Sequence, residues 1–326
     1  MIRQARKNYE SRIIQQAEYK PTIFFHYINS RSKNKDPVAV LMDGNGVEVV
    51  ENCEKAEQLG RFFASVFTRE PELQLDHINS AVIGTGPVLE YILFPETLMQ
   101  RELQNLKESK SSGLDDLPAK FLKELAGELF KPLAHIFNSS FESGKLHSEW
   151  KAANIYPIYN KGARSNVNNY QPVSLTSIGC KIMESIIKKA TMKFLEENRL
   201  LSELQYAFRQ NCSCLSSLLL STEQWTRALN EDGSVDVIYT DFKKAFDSVL
   251  HKRLIYKLCE IGISGILQKW NADILTGILQ TVCVDTSKST PTPVLSGGPQ
   301  YVVAHIILEI KLKICKFTLF PAQNNL

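Results

Sequence analysis

The segment from Ser234 to Thr240 reads Ser-Val-Asp-Val-Ile-Tyr-Thr and ends on Asp241. β-Branched and aromatic residues in such a run favour an extended strand. A strand this apolar needs strand neighbours and a covering layer of helices. That requirement fixes more about the fold than any other stretch of the chain. It also delivers a carboxylate, Asp241, at the strand's C-terminal end, where a sheet can hold it rigidly at a cleft. Mg²⁺ prefers such oxygen-rich sites, made of one or two carboxylates plus substrate phosphates. By itself, an Asp at a strand end is weak evidence for a metal ligand, and an ordinary loop acid is the commoner reading. Asp247 and Ser248 fall just ahead of the next helical pattern, so they read as helix caps.

The covering helices are legible as 3.6-residue periodicity. Helical patterns run to about Lys20, over Glu51–Phe67, Glu96–Lys107, Ala119–Ser143, Ile178–Asn198, Leu215–Leu229, His251–Ile261 and Ile266–Thr276. A further stretch around Ile23–Ile28 is also helical in pattern. Strands are expected at Ala153–Ile158 and Leu279–Asp285. Val38–Met42 and Val47–Val50 flank Asp43-Gly44-Asn45-Gly46, a β-hairpin signal, because these residues tolerate positive φ. Pro118 stands where a helix can begin. Helices dominate and strands are scattered, so the fold class is α+β rather than a regular βαβ series.

Of 326 residues, 44% are hydrophobic and 22% charged, which excludes a mostly disordered chain. The net charge is only +3, but residues 1–36 alone contribute +5. A basic arm of that kind suits either a phosphate backbone or a solvated helix face. Seven cysteines without framework spacing read as reduced thiols. No apolar run follows the N-terminal charges and none approaches a membrane span. The expectation is an intracellular protein, nuclear or cytoplasmic, with no membrane contact and no evident protein partner.

Six blocks, in order, resemble reverse transcriptases of non-LTR, LINE-type and jockey-like retrotransposons. They are SSGLDDLPAKFLK (111–123), WKAANIYPIYNKG (150–162), NYQPVSLTSIGCKIMESII (169–187), QYAFRQNCS (205–213), TDFKKAFDSVLHKRLIYKL (240–258) and SGGPQ (296–300). Residues 20–68 resemble the connector ahead of that polymerase. The resemblance implies a right-hand polymerase: an upstream connector over 1–95, fingers and an incomplete palm over 96–300, and a divergent tail over 301–326. It implies RNA-directed DNA polymerisation, with an RNA template, a DNA primer, deoxynucleotides and Mg²⁺. Asp241 would be the catalytic carboxylate bridging two metal ions, with the Phe242 carbonyl as an additional metal ligand. Phe246 would sit under the sugar and reject a ribose 2′-hydroxyl. Lys161 and Arg164 would meet template backbone and triphosphate. Arg209 would either buttress the nucleic-acid groove or pair with a carboxylate. Gln300 would belong to the substrate-binding block, and Lys243 and Lys244 read as solvated charges.

The chain departs from the family pattern at Asn160, where lysine is usual, at Gln171, where arginine is usual, and at Ala207, where glycine is usual. After Gln300 the expected helix and paired aspartates are replaced by 26 residues with no Asp and a single acid, Glu309. Asp115-Asp116 cannot substitute, since that pair belongs to an earlier block. The expectation is therefore a polymerase segment that does not polymerise alone. The alternatives are a non-catalytic RNA- or DNA-binding fragment and a degenerate element product.

Overall fold

The computed structural model describes residues 9–16, 38–71, 86–203, 205–206, 209, 211–231, 234–237, 244 and 247–297. Helix α1 covers residues 9–16, with Ile13 buried. Strands β1 (Leu41–Met42) and β2 (Glu48–Val49) form the hairpin that the Asp-Gly-Asn-Gly turn calls for. Asp43 Oδ1 accepts from the N–H groups of Asn45 and Val47, both at 2.8 Å, and these bonds hold its carboxyl below the ordinary range. Gly46 supplies the left-handed residue, at φ +80°.

Helix α2 (Asn52–Ala64) follows. Its buried stripe of Ala56, Leu59 and Phe63 lies on one face of a mixed sheet. That sheet is ordered β4–β3–β5–β6, with β3 Ala152–Tyr159, β4 Tyr170–Leu175, β5 Leu279–Val284 and β6 Ser287–Lys288. β7 (Thr292–Pro293) pairs with the start of β5. β3 is antiparallel to β4 and parallel to β5, where Ala152 opposes Leu279 and Ile155 opposes Val282. Along β3 the exposed Tyr156 and Ile158 alternate with the buried Ile155 and Pro157, the period-2 signature of a sheet covered on one side. Val38, Leu41, Leu59, Phe63, Ile155 and Val282 belong to one apolar cluster, so the upstream hairpin and helix share a core with the sheet.

A second, larger core is helical. It is built from α3 (Glu96–Gln104), α4 (Ala119–Glu124), α5 (Ala126–Ser143), α6 (Ile178–Glu197), α8 (His251–Glu260) and α9 (Gly265–Ile274). Phe94 meets Phe137 and Phe141 edge-on at 5.7 and 5.6 Å, and Phe137 meets Trp150 at 5.7 Å. Each large side chain buried this way contributes roughly 1.5–3 kcal/mol. Asn138 pins the chain entering α3: its amide accepts from Phe94 N at 3.2 Å and donates to Phe94 O at 3.1 Å. Helix α7 (Cys214–Asn230) differs from these. It buries none of its residues, and Leu215, Leu218, Leu219 and Leu229 are all exposed.

Two expectations are corrected. Residues 234–237 form no ladder with any described strand, and the rest of that expected strand, 238–240, lies outside the described residues. Asp247 and Ser248 do not cap the next helix. Helix α8 begins at His251, with Leu250 in the capping position and no side-chain cap from it. The mixture of helix and sheet is as expected, and the helical stretches start or end within a few residues of their patterns. The stretch at 23–28 lies outside the described residues.

The loop carrying Asp115 and Asp116 is pressed onto the start of α6. A Cβ on Gly113 would lie 2.5 Å from the Thr176 carbonyl and 2.6 Å from Ser177 N. Asp115 Oδ2 accepts the Ser177 hydroxyl proton at 2.6 Å. Gly113→Ala should therefore destabilise the fold by roughly 1–3 kcal/mol. Gly127→Ala, where a Cβ meets nothing within 4 Å inside α5, should be neutral or slightly stabilising. Urea unfolding of the two variants checks the contrast.

Candidate functional site

Two of the expected site residues, Lys161 and Arg164, stand on the loop 160–169 between β3 and β4. Both are exposed. The backbone beneath them is tied from several sides. Tyr159 donates its hydroxyl proton to Gly162 O at 2.5 Å, Asn169 Nδ2 donates to Ala163 O at 2.8 Å, and Tyr170 donates to Arg164 O at 2.7 Å. Gly162 is left-handed at φ +94°, and a Cβ there would sit 2.6 Å from Asn169 Nδ2. The Arg164 guanidinium lies over the Tyr159 ring, 4.6 Å from its centroid, a cation–π contact that leaves the edge donors outward. The β1–β2 hairpin braces the loop through Met42 N to Ser165 O at 2.9 Å. Asn160, which departs from the family pattern, closes the hairpin with its backbone N–H on Asn169 O at 2.9 Å, so the loop does not need the lysine side chain for its shape. The result is a stiff loop with two outward cations.

Arg209 is elsewhere. Its guanidinium donates to Ser202 O at 2.9 Å and to Gln205 O at 3.4 Å. Among the described residues it staples its own loop and pairs with no carboxylate. Asp241, Phe242, Phe246 and Gln300 lie outside the described residues.

The described residues that flank them in sequence form a polar junction of three segments distant from one another along the chain. The fully buried Ser296 donates to Asp247 O at 2.5 Å and accepts from Thr68 N at 2.8 Å. Gly297 N donates to Val249 O at 2.8 Å. The Gly297 carbonyl takes a hydrogen bond from His251 Nε2 at 2.5 Å, which requires the proton on that nitrogen. Glu70 then accepts from the N–H groups of Lys252 and Arg253, at 3.0 and 3.1 Å. These are the orphan donors of the first turn of α8. Its cap is thus a carboxylate from far upstream, which no local pattern could have shown. Residues 247–253 are held against Ser296 and Gly297 on one side and against Glu70 on the other.

Burial raises the Asp247 carboxyl pKa, and the Lys244 ammonium partly opposes it. Lys244 is solvent-exposed, as expected, yet it also lies 5.2 Å over the Phe62 ring of α2. Among the described residues no three His, Cys, Asp or Glu side chains converge. The described residues by themselves therefore do not make a magnesium site.

Glu70→Ala should cost about 1 kcal/mol and speed hydrogen exchange at the Lys252 and Arg253 amides. Ser296→Ala, which removes the hydrogen-bond partner of the part-buried Thr68 N–H and Asp247 carbonyl, should cost about 1 kcal/mol. Urea unfolding with amide exchange by NMR checks both.

With this geometry in hand, comparison with known proteins is direct. Residues 158–300, a little under half of the chain, match the family described as reverse transcriptase (RNA-dependent DNA polymerase). The chain is 28% identical over 202 residues to the probable RNA-directed DNA polymerase from transposon BS of Drosophila melanogaster, covering 61% of this chain and 22% of that protein. It is 27% identical over 203 residues to the RNA-directed DNA polymerase from mobile element jockey of the same fly, again 61% and 22%. The probable RNA-directed DNA polymerase from transposon X-element matches over 284 residues at 23% identity, covering 84% of this chain and 30% of its own length. The chain therefore spans between 22% and 30% of the length of these relatives. Residues 158–300, from the last two residues of β3 through β7 and the junction at Ser296, thus match the reverse transcriptase family, and these relatives are named as polymerases of transposons and a mobile element.

Proposed function

We propose that the braced loop 160–169 is the fingers contact of an RNA-directed DNA polymerase, and that its outward Lys161 and Arg164 meet nucleic-acid phosphates. The observation behind this reading is the loop itself: two exposed cations on a backbone fixed by Tyr159, Asn169 and Tyr170, inside the stretch that matches the family. Contacts of this kind neutralise phosphates without reading sequence. In this reading residues 1–95 precede the polymerase, 96–300 carry fingers and the start of the palm, and 301–326 follow. The substrates are an RNA template, a DNA primer and deoxynucleotides. Asp241 with the Phe242 carbonyl is one part of a Mg²⁺ site, Phe246 selects against a ribose 2′-hydroxyl, and Gln300 completes the substrate-binding block. Bound there, Mg²⁺ would stabilise charge on the attacking and leaving oxygens. Arg209 serves the fold of its loop. No helix among the described residues is long and apolar enough to cross a membrane.

The 326-residue polypeptide binds nucleic acid in this account but does not polymerise by itself. Within these 326 residues, positions 301–326 carry no Asp and only Glu309, so the second acid pair that the family pattern expects after Gln300 is not among them. Losing one member of a catalytic unit removes most of the rate.

Binding to single-stranded RNA should weaken steeply with salt. Replacing Lys161 and Arg164 together by Ala should lower the slope of log K against log [salt] by about 1.4 for two lost contacts at ~0.7 each. Filter binding at several salt concentrations checks this, and an unchanged slope would remove the loop from the interface. Primer extension on an RNA template with Mg²⁺ should show no incorporation. Incorporation abolished by Asp241→Ala would overturn the inactive reading while leaving the family assignment intact.

A further inference from the structure

Glu184 takes no part in the interface described above. It projects from the middle of α6 and is 3% exposed. Its Oε1 accepts a weak hydrogen bond from Cys180 Sγ at 3.6 Å, and among the described residues its Oε2 has no partner. The Thr176 hydroxyl, at the end of β4, is equally buried and also without a partner there. Both side chains line a cavity of about 10 Å³, together with Trp150, Lys151, Ala153 and Ile274. That is room for about one water-sized group.

The cavity's position gives it mechanical meaning. Lys151 and Ala153 belong to the entry and start of β3, Thr176 follows β4, Ile274 ends α9 just before β5, and Glu184 belongs to the helical core. The carboxyl therefore sits where the sheet meets the helices.

The charged groups around it offset its burial only in part. Lys151 lines the same cavity, but its ammonium is held by Asp273 at 2.7 Å, and Asp273 also accepts Leu146 N at 2.7 Å. Lys181 lies on the same helix. Burial and then the Lys110 ammonium lower its pKa, while Glu184, Cys180 and Asp115 oppose that shift. Asp115 is engaged with Ser177. The Cys180 thiol is pushed well above its ordinary value, first by burial and then by Glu184, so it remains a donor. Ile274 and Ile278, on the α9–β5 side, carry no charge. An ionised carboxylate here would be desolvated, with a weak thiol donor on one oxygen and, among the described residues, no protein donor on the other, a costly state.

We propose that Glu184 is a proton-operated latch: in its neutral form it closes the junction between the sheet and the helical core, and ionisation loosens the base of β3 and β4. Burial, only partly offset by the Cys180 hydrogen bond and the Lys181 charge, raises the carboxyl from 4.5 to about 7. An acid with a raised folded-state value binds its proton more tightly folded than unfolded. Its stabilisation is complete below about pH 4.5, is lost as pH rises toward 7, and falls no further above that. The loop 160–169 rides on the same two strands, so its support weakens with them.

The test compares urea unfolding of the full chain with that of Glu184→Gln at pH 5 and pH 8, alongside ¹³C NMR titration of the Glu carboxyls. The unfolding constant of the natural chain should rise on the order of 50-fold more than that of the variant between these pH values. One Glu carboxyl should titrate near neutral pH. Equal pH dependence in the two proteins overturns the latch. If the variant does not fold, the titration decides alone, and Glu carboxyls all titrating close to 4.5 overturn it equally.

Discussion

Parallel pairing of β3 with β5 holds the two halves of this molecule together. Ala152–Ile155 align with Leu279–Val282, so more than a hundred intervening residues must leave the sheet and return to it. A parallel neighbour always demands such a crossover. Here the crossover contains α6, α7, α8 and α9, and β4 as the antiparallel edge. Helices α6, α8 and α9 of the crossover join the helical core, and α2 covers one face of the sheet with Leu59 and Phe63. If β3 and β5 separated, the loop 160–169 would lose its base, and Asp247 and Val249 would lose their seat beside Ser296 and Gly297.

The proline pattern of the sheet follows from the same pairing. Pro157 and Pro172 face each other in the β3–β4 register. Proline donates no backbone hydrogen bond and is tolerated on edge strands or where no bond is needed. β5 pairs only with the first half of β3, through Ile155, so Pro157 lies beyond the part of β3 that needs bonds on both sides. That is also why β4 is hard to read as a strand: Tyr-Gln-Pro-Val-Ser-Leu has no clean alternation, and only Tyr170 of it is buried. Its extended state is imposed by β3.

Local signals were legible wherever chemistry acts locally. The Asp43–Gly46 turn, the start of α4 after Pro118, and the helices with a clear apolar stripe need no partner to be read. The family resemblance rested on ordered blocks, and residues 158–300 bear it out. Long-range interactions were not legible. Glu70 caps a helix that begins 181 residues later in sequence than itself, at His251, and nothing near His251 announces that. Ser296 gains its role only from Thr68 and Asp247. The upstream segment, which reads as a separate connector, contributes Val38, Leu41, Leu59 and Phe63 to the core of the sheet. Glu184 looks like an ordinary charged position in α6, and only packing shows that its carboxyl is buried.

Nucleic-acid binding by the loop 160–169 is the claim on which the functional account turns. It is tested most directly by ultraviolet crosslinking of the full chain to single-stranded RNA carrying 4-thiouridine, followed by mass spectrometry of the crosslinked peptides. The account predicts crosslinks concentrated in the peptide between β3 and β4, around Tyr159, Lys161 and Arg164. Crosslinks confined to the α3–α5 surface, with that peptide untouched, would contradict it.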